Sequence, residues 1–159
     1  MRGRAIMIVL GAAALALAAA GLVLARGAEQ EEVTRDALAQ SSTVEGAPDR
    51  TLGLSRVVIP AGDSIPLHHH EGTQIAQVRK GVLTYKVATG HVDVMKGASD
   101  EDPQLVRRID AGQKGKIKSG EWIVEQPSVK HSAVNRGRKK IVIMLANLLR
   151  TGAPPSTPD

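Results

Sequence analysis

The stretch GDSIPLHHHEGTQIAQVRKG, residues 62–81, carries three consecutive histidines and decides the predicted fold. In a β-strand, side chains at positions i and i+2 face one side of the sheet, and the residue between them faces the other. His68 and His70 are therefore expected to face one cavity together, with His69 turned away. If His131 joins them from a distant strand, the three imidazoles form a suitable ligand set for a divalent transition metal.

The sequence around this stretch predicts an all-β domain. From Thr51 onward, short runs rich in β-branched residues alternate with turn residues. Evenly spaced short strands with almost no helical periodicity are typical of a β-sandwich or barrel. The predicted strands cover residues 52–59, 74–80, 82–88, 91–95, 104–109, 116–118, 121–126, 131–135 and 139–149.

The composition of the 159-residue chain limits its partners. The length fits one domain with appendages. Tyr85 and Trp122 are the only aromatic residues, so the usual stacking platforms for single-stranded nucleic acid are absent and no nucleic-acid partner is expected. The net charge of +5 includes Arg2 and Arg4 at the extreme N-terminus, and the remaining charge predicts a mildly basic, solvated surface. Without cysteine, disulfides and thiolate metal sites are excluded.

Residues 1–25 are expected to be a signal peptide or a membrane anchor. Two arginines precede an uncharged, apolar run over residues 5–25, and acidic residues follow soon after it. The run is about long enough to cross a bilayer as a helix. The flanking charges place its N-terminus inside and the rest of the chain outside. The protein is therefore expected to be periplasmic or secreted if the segment is cleaved, and attached to the membrane if it is kept.

The rest of the chain divides into three predicted parts. Residues 26–50 form a polar linker, in which residues 28–40 could make a short amphipathic helix. Residues 51–150 form the folded β domain. Residues 151–159, TGAPPSTPD, are expected to be a disordered tail because they are short, polar and rich in proline.

The histidine-rich stretch resembles the first cupin motif, G-x5-H-x-H-x3or4-E-x6-G. Gly62, His68, His70 and Gly81 fall at the motif's spacings, and Gln74 stands where the family has glutamate. The resemblance covers residues 52–149 once the second motif is included. It implies a cupin jelly-roll β-barrel with a metal at its centre or mouth, and it makes a homodimer a reasonable expectation.

The second cupin motif, G-x5-P-x-G-x2-H-x3-N, is matched more loosely. Pro127, His131 and Asn135 are present, and the spacing from histidine to asparagine is intact. Gly120 lies one residue further from the proline than in the motif, and Val129 sits near the expected glycine. The resemblance therefore implies that His131 is the third histidine ligand, with an altered turn before it.

The predicted metal ligands are His68, His70 and His131, with Gln74 as a possible fourth. Glutamine keeps the shape and the carbonyl oxygen of the family's glutamate but lacks its charge. A metal held by neutral ligands keeps its full charge, which strengthens its attraction for an anionic substrate or hydroxide. Such a site should also hold the metal less tightly. Fe, Mn, Zn, Ni and Cu all stay open, because imidazole suits several of them.

Strand alternation predicts the side chains around these ligands. Ala76 and Val78 should face inward with Gln74, and Ala133 and Asn135 should share the face of His131. The two alanines would leave room for water or a substrate.

Other polar and aromatic residues are expected to have ordinary roles. Tyr85 and Trp122 are expected in the core, and His91 on the surface. Glu71 either orients a histidine ligand or is a solvated loop carboxylate. Aspartate and glutamate fall mostly in predicted loops, so no convincing general base is visible.

Two functions fit this pattern. The first is an extracytoplasmic metal enzyme of oxygenase type that acts on a small molecule; an oxygenase depends less on a protein base because the metal carries the hard step. The alternative is a non-catalytic cupin module that binds a small ligand or a metal.

Overall fold

The computed structural model describes residues 31–97 and 103–159, which form twelve β-strands. The strands are β1 (Thr34–Ser41), β2 (Arg50–Ile59), β3 (Ser64–His69), β4 (Gly72–Lys80), β5 (Val82–Thr89), β6 (His91–Lys96), β7 (Gln104–Asp110), β8 (Lys114–Lys118), β9 (Trp122–Glu125), β10 (Lys130–Val134), β11 (Ile141–Arg150) and β12 (Thr157–Pro158). The all-β prediction is confirmed for the described residues, and the nine predicted strands correspond to β2 and β4–β11.

The strands form two antiparallel sheets. The larger sheet has seven strands in the order β1-β2-β11-β4-β9-β6-β7, and the smaller has five in the order β12-β3-β10-β5-β8. Neighbours in each sheet are mostly distant in sequence, which is characteristic of a jelly roll. The smaller sheet contributes β3 and β10, which carry the predicted histidine ligands, and the larger contributes β4, which carries Gln74.

The hydrophobic core lies between the two sheets and is almost entirely aliphatic. On β2, Val57 and Ile59 are buried, whereas Leu52 and Leu54 point to the outer face. The same alternation on β11 buries Ile141, Ile143 and Leu145. Burying each such side chain stabilises the fold by about 1.5–3 kcal/mol, so a chain without phenylalanine can still form a dense core.

The expected helix over residues 28–40 is wrong where the structure describes it, because residues 34–41 form strand β1. β1 pairs antiparallel with β2, with Arg35 opposite Val57 and Asp36 opposite Arg56. On the outer face, the Arg56 guanidinium lies 2.7 Å from the Asp36 carboxylate. The backbone N–H and C=O groups of β2 gain partners along this edge, and such long-range pairing overrides a weak helical pattern.

The expected disorder of residues 151–159 is also wrong. β12 pairs with β3, with Thr157 opposite His69. The Asp159 carboxylate accepts hydrogen bonds from Lys130 Nζ at 2.7 Å and His69 Nδ1 at 2.9 Å. Proline restricts the unfolded chain and is tolerated on edge strands, so this proline-rich segment loses little entropy when it adds to the sheet edge.

The predicted signal peptide or membrane anchor, residues 1–25, lies outside the described residues. Within residues 31–97 and 103–159, no helix is long and apolar enough to span a membrane.

Candidate metal centre

Three imidazoles from two paired strands converge between the sheets. His68 lies on β3 opposite His131 of β10, and His70 directly follows β3. All three side chains are buried, with exposed fractions of 7%, 1% and 2% for His68, His70 and His131. One ring nitrogen from each lies within 4.8 Å of those from the other two. The structure thus brings together the three histidines that the sequence singled out.

Backbone carbonyls fix the orientation of all three rings. The bonds are His68 Nδ1 to Pro66 O at 2.8 Å, His70 Nδ1 to Pro155 O at 2.7 Å, and His131 Nδ1 to Val129 O at 3.3 Å. A carbonyl oxygen only accepts hydrogen bonds, so each Nδ1 carries the hydrogen. In the neutral ring each Nε2 then carries a lone pair instead of a hydrogen, which is the state that metal binding requires.

A buried carboxylate, Glu125 on β9, lies beside two of these rings. Its Oε1 is 3.2 Å from His131 Nε2, and its Oε2 is 3.5 Å from His70 Nε2. Two ligands that share a tetrahedral metal at about 2.1 Å lie roughly 3.4 Å apart. Glu125 therefore lies close enough to His70 and to His131 to share a metal ion with either of them.

The sequence interpretation placed residues 121–126 in a strand but missed Glu125, because it did not work out which side chains of that strand face inward. The signal was present in the alternation of EWIVEQ, which puts Glu121, Ile123 and Glu125 on one buried face. Glu121 is neutralised by Arg107, whose Nη1 lies 3.0 Å away. Glu125 has no such arginine contact within the described residues, and its near neighbours are the histidines instead.

Gln74 faces Glu125 across the β4–β9 pair and donates with its amide nitrogen. Gln74 Nε2 lies 2.9 Å from His70 Nε2 and also contacts Glu125 Oε2. His70 Nε2 is an acceptor because the ring already donates from Nδ1, and the ionised Glu125 carboxylate can only accept. The amide of Gln74 must therefore turn its N–H groups toward both atoms. Gln74 Oε1 is buried and has no partner among the described residues. In this arrangement Gln74 presents its nitrogen to the histidine cluster, not the carbonyl oxygen expected of a ligand.

The electrostatics of the site favour neutral His68 and His131 and an ionised Glu125. Burial, together with the nearby His131 and His70, lowers the pKa of His68 to about 4. Burial also lowers the pKa of His131, against the opposing effect of Glu125. Burial alone would raise the pKa of Glu125, but His131, His70 and Gln74 together hold that pKa well below its usual range. These are the protonation states in which the groups bind a metal ion.

The donor set fits a divalent transition metal. Imidazole nitrogens suit Zn, Fe, Ni and Cu, and a single carboxylate oxygen is compatible with all of them. Calcium and magnesium prefer sites made of oxygen ligands. Three nitrogens and one carboxylate therefore match the predicted class of metal, and the buried Glu125 supplies the charge that Gln74 lacks.

Tyr85 belongs to the site and is not merely core packing. Its hydroxyl donates a hydrogen bond to Glu125 Oε1 at 2.7 Å, and its ring stacks on His131 with centroids 5.0 Å apart. Burial and the nearby Glu125 carboxylate raise the pKa of Tyr85 well above its ordinary value. The phenol is therefore protonated at neutral pH and acts as a donor.

A small cavity lies next to the histidines. Ala76 and Ala133 line it, as predicted, together with Tyr85 and Glu125. It leaves about 40 Å³ for the centres of water-sized molecules, which is room for roughly three waters. A ligand that occupies the cavity in this conformation must be very small.

Asn135 shares the buried face of His131 but does not line this cavity. Its Nδ2 donates to the carbonyls of Ile59, Pro60 and Lys139, each at 2.9 Å, and its Oδ1 accepts from the Gly137 N–H. Asn135 therefore ties the turn after β10 to the end of β2.

The remaining candidates lie away from the cluster. His69 faces outward, as predicted, and bonds Asp159. Glu71 lies 3.8 Å from His69 and orients none of the three buried rings. Trp122 is half-buried and donates to Gly97 O at 2.8 Å, and His91 is exposed.

The fold and the site together define a cupin-type β-barrel whose three clustered histidines could hold a metal ion. A crystal structure of a cupin 2 domain-containing protein from Halorhodospira halophila is similar over 84% of this chain and 76% of that one, at 16% identity and a TM-score of 0.52. An RmlC-like cupin protein from Desulfovibrio desulfuricans is similar over 82% of this chain and 97% of that one, at 15% identity and a TM-score of 0.46. No protein-family model matches the sequence, and no curated protein is significantly similar to it.

The chain has the fold of the cupin superfamily, as the two sequence motifs implied. The three buried histidines lie at the positions that correspond to those motifs.

Proposed function

We propose that this protein is an extracytoplasmic cupin that binds one divalent transition metal and acts on a small molecule, as an oxygenase-type enzyme. The ligands are His68, His70 and His131, with Glu125 as the fourth. The observation that carries the proposal is the convergence of three buried imidazoles whose Nδ1 atoms all donate to backbone carbonyls. No common structural need would fix three neighbouring rings in this way, whereas metal binding does.

Glu125 changes the charge expected of the site. With Gln74 as the fourth group, the ligands would be neutral and the metal would keep its full double charge. With Glu125, one negative charge is supplied from the neighbouring strand, directly opposite Gln74. Compared with the cupin motif, the carboxylate is at position 125 on β9 and not at position 74 on β4. The site then retains its metal more firmly than the sequence alone predicted.

The residues around the ligands prepare the site for chemistry. A metal bound there supplies Lewis acidity or, if it is redox-active, one-electron chemistry. The Tyr85 hydroxyl oxygen lies 2.7 Å from Glu125 Oε1 and donates a hydrogen bond that orients this carboxylate. Apolar side chains such as Val78, Leu83 and Ile123 line the rest of the cavity and keep bulk water out.

The small cavity also favours a second candidate, a non-catalytic module that holds the metal or a small ligand. Space for roughly three waters suits a bound ion with a few water molecules. This candidate needs neither the hydrogen bond from Tyr85 nor an entry path for a substrate.

Oxygen uptake distinguishes the two candidates. We expect iron- or copper-loaded protein to consume oxygen with at least one member of a panel of phenols, diketones, thiols and small carboxylic acids. The matched control is the same protein loaded with zinc, which has no redox chemistry and should be silent. Oxygen consumption no faster with iron or copper than with zinc, across the whole panel, would contradict the oxygenase proposal and favour the binding module.

A further inference from the structure

An arginine from the N-terminal strand occupies an inward-facing position. In the β1–β2 pair, Arg35 is opposite Val57, and directly opposite residues in an antiparallel pair share one face of the sheet. Val57 belongs to the core, so Arg35 points to the same interior side. Its neighbour Asp36 points outward and pairs with Arg56. An arginine is thus placed where strand alternation calls for an apolar residue.

The guanidinium of Arg35 reaches the metal cavity, and one of its nitrogens has no hydrogen-bond partner among the described residues. Arg35 lines that cavity together with His68, Glu125 and His131. That nitrogen is Nη1, which is buried. Among the described residues, one other buried side-chain atom lacks a hydrogen-bond partner. It is Gln74 Oε1, and Gln74 lines the same cavity. Unpaired buried polar atoms are rare and costly, so two in one small cavity indicate a polar ligand.

The electrostatics of Arg35 agree with this geometry. Burial lowers the pKa of its guanidinium, and attraction to Glu125 opposes that shift. The guanidinium stays charged at any physiological pH. Arg56, Arg107 and Arg108 each lie within 3.0 Å of a carboxylate. Arg35 is half-buried and has no ion pair among the described residues, so its guanidinium can accept an anion.

We propose that Arg35 binds the anionic end of the ligand and that the ligand is a small carboxylic acid. This inference rests on the proposed function, because the metal and Arg35 then act on the same molecule. The planar fork of a guanidinium matches the two oxygens of a carboxylate. The cavity admits only a few non-hydrogen atoms, which limits the acid to a very short chain.

Arg35 also lines a second, larger cavity on the same inner face of the larger sheet, beside Ser55 and Asn147. That cavity offers about 300 Å³ and is bounded by β1, β2, β11 and the C-terminal segment near Pro155. Because Arg35 borders both cavities, an anion that enters through the larger one meets its charge before it reaches the histidines. Arg35 thus both attracts and orients the ligand.

Acetate and acetamide provide the test, because they have nearly the same shape and differ in charge. We would first measure the zinc content of the full chain and of the variants Arg35→Gln, Arg35→Lys and Arg56→Gln, and then titrate each with both probes by calorimetry. Arg56 is the matched control, since it lies on the neighbouring strand but points outward. Thermal unfolding of each variant checks that it is folded, and Arg35→Lys keeps the charge if Arg35→Gln does not fold.

We expect zinc-loaded wild type and Arg56→Gln to bind acetate alike and to prefer it over acetamide. Arg35→Gln should keep its zinc but bind acetate about 10- to 100-fold more weakly, as for the loss of a charged hydrogen-bond pair. Arg35→Lys should fall between the two, because it keeps the charge but loses the fork. Acetamide binding should change little in any variant.

An unchanged acetate affinity in Arg35→Gln would overturn the proposal, as would equal affinity of wild type for acetate and acetamide. If Arg35 served only to balance the charge of Glu125, its replacement would lower the affinities for acetate and acetamide equally or change neither. Absence of zinc from wild type is a separate result that contradicts the proposed metal site. The acetate titration of the metal-free protein would then still report on Arg35.

Discussion

Replacing Glu125 with glutamine is expected to weaken zinc binding by about 100-fold, near the upper end of the effects seen when groups that support metal ligands are lost. Glutamine keeps the size of the side chain but removes the negative charge beside His70 and His131. The metal then has three neutral nitrogens and no anionic oxygen. Competition between the protein and a chromophoric zinc chelator measures the change.

The chain offers a matched control for this variant. Glu121 lies on the same buried face, four residues earlier, and is paired with Arg107. Glu121→Gln should reduce stability through the loss of that ion pair, yet it should leave zinc affinity unchanged. Equal zinc affinity of wild type and Glu125→Gln would mean that Glu125 does not touch the metal.

Restoring the family's glutamate at position 74 is expected to destabilise the metal-free protein by about 3 kcal/mol at neutral pH, the scale of an uncompensated buried charge. Gln74 Nε2 contacts Glu125 Oε2, so Gln74→Glu brings two carboxylates together. Like charges at this separation force one group to take up a proton. Stability should therefore recover at low pH or when zinc is added, as chemical denaturation would detect.

The double variant Gln74→Glu with Glu125→Gln exchanges the two side chains across the β4–β9 pair. It should recover both the stability and the zinc affinity of wild type to within about 10-fold, the lower end of the supporting-residue effects. Gln74→Met, which removes the amide without adding charge, serves as the control. A double variant no better than Glu125→Gln alone would show that the carboxylate cannot act from position 74.

Much of the fold could be predicted because its signals are local. Turn residues separate β-branched runs, and this pattern located the nine strands β2 and β4–β11. The strands at the two ends, β1 and β12, could not be found in this way. β1 forms because the edge of β2 offers backbone partners, and β12 forms because β3 does the same. Such pairing depends on the folded sheet and leaves little trace in the sequence.

Some residues of the site could likewise be predicted from local signals, and others could not. Alternation and motif spacing were enough to bring His68, His70 and His131 together. Alternation in EWIVEQ was enough to place Glu125 on the buried face, although the sequence interpretation did not use it. Arg35 could not be assigned, since it reaches the cavity through the pairing of β1 with β2. Gln74 was identified as the unusual residue, but its orientation is set by the two acceptors that it faces.

The C-terminal segment has a part in the site that its composition concealed. Pro155 O accepts the hydrogen bond that orients His70, so a segment expected to be disordered holds one of the proposed ligands in place. Asp159 fastens the same segment to Lys130 and His69.

Metal content after reconstitution tests the central claim most directly. Wild type, the double variant His68→Ala with His131→Ala, and the control His91→Ala, which changes an exposed histidine, would be loaded with zinc, desalted and analysed by mass spectrometry. A single site of three imidazoles and a carboxylate predicts about one zinc ion per chain in wild type and in the control, and almost none in the His68 and His131 variant. Undiminished stoichiometric metal in that variant would contradict the proposed site.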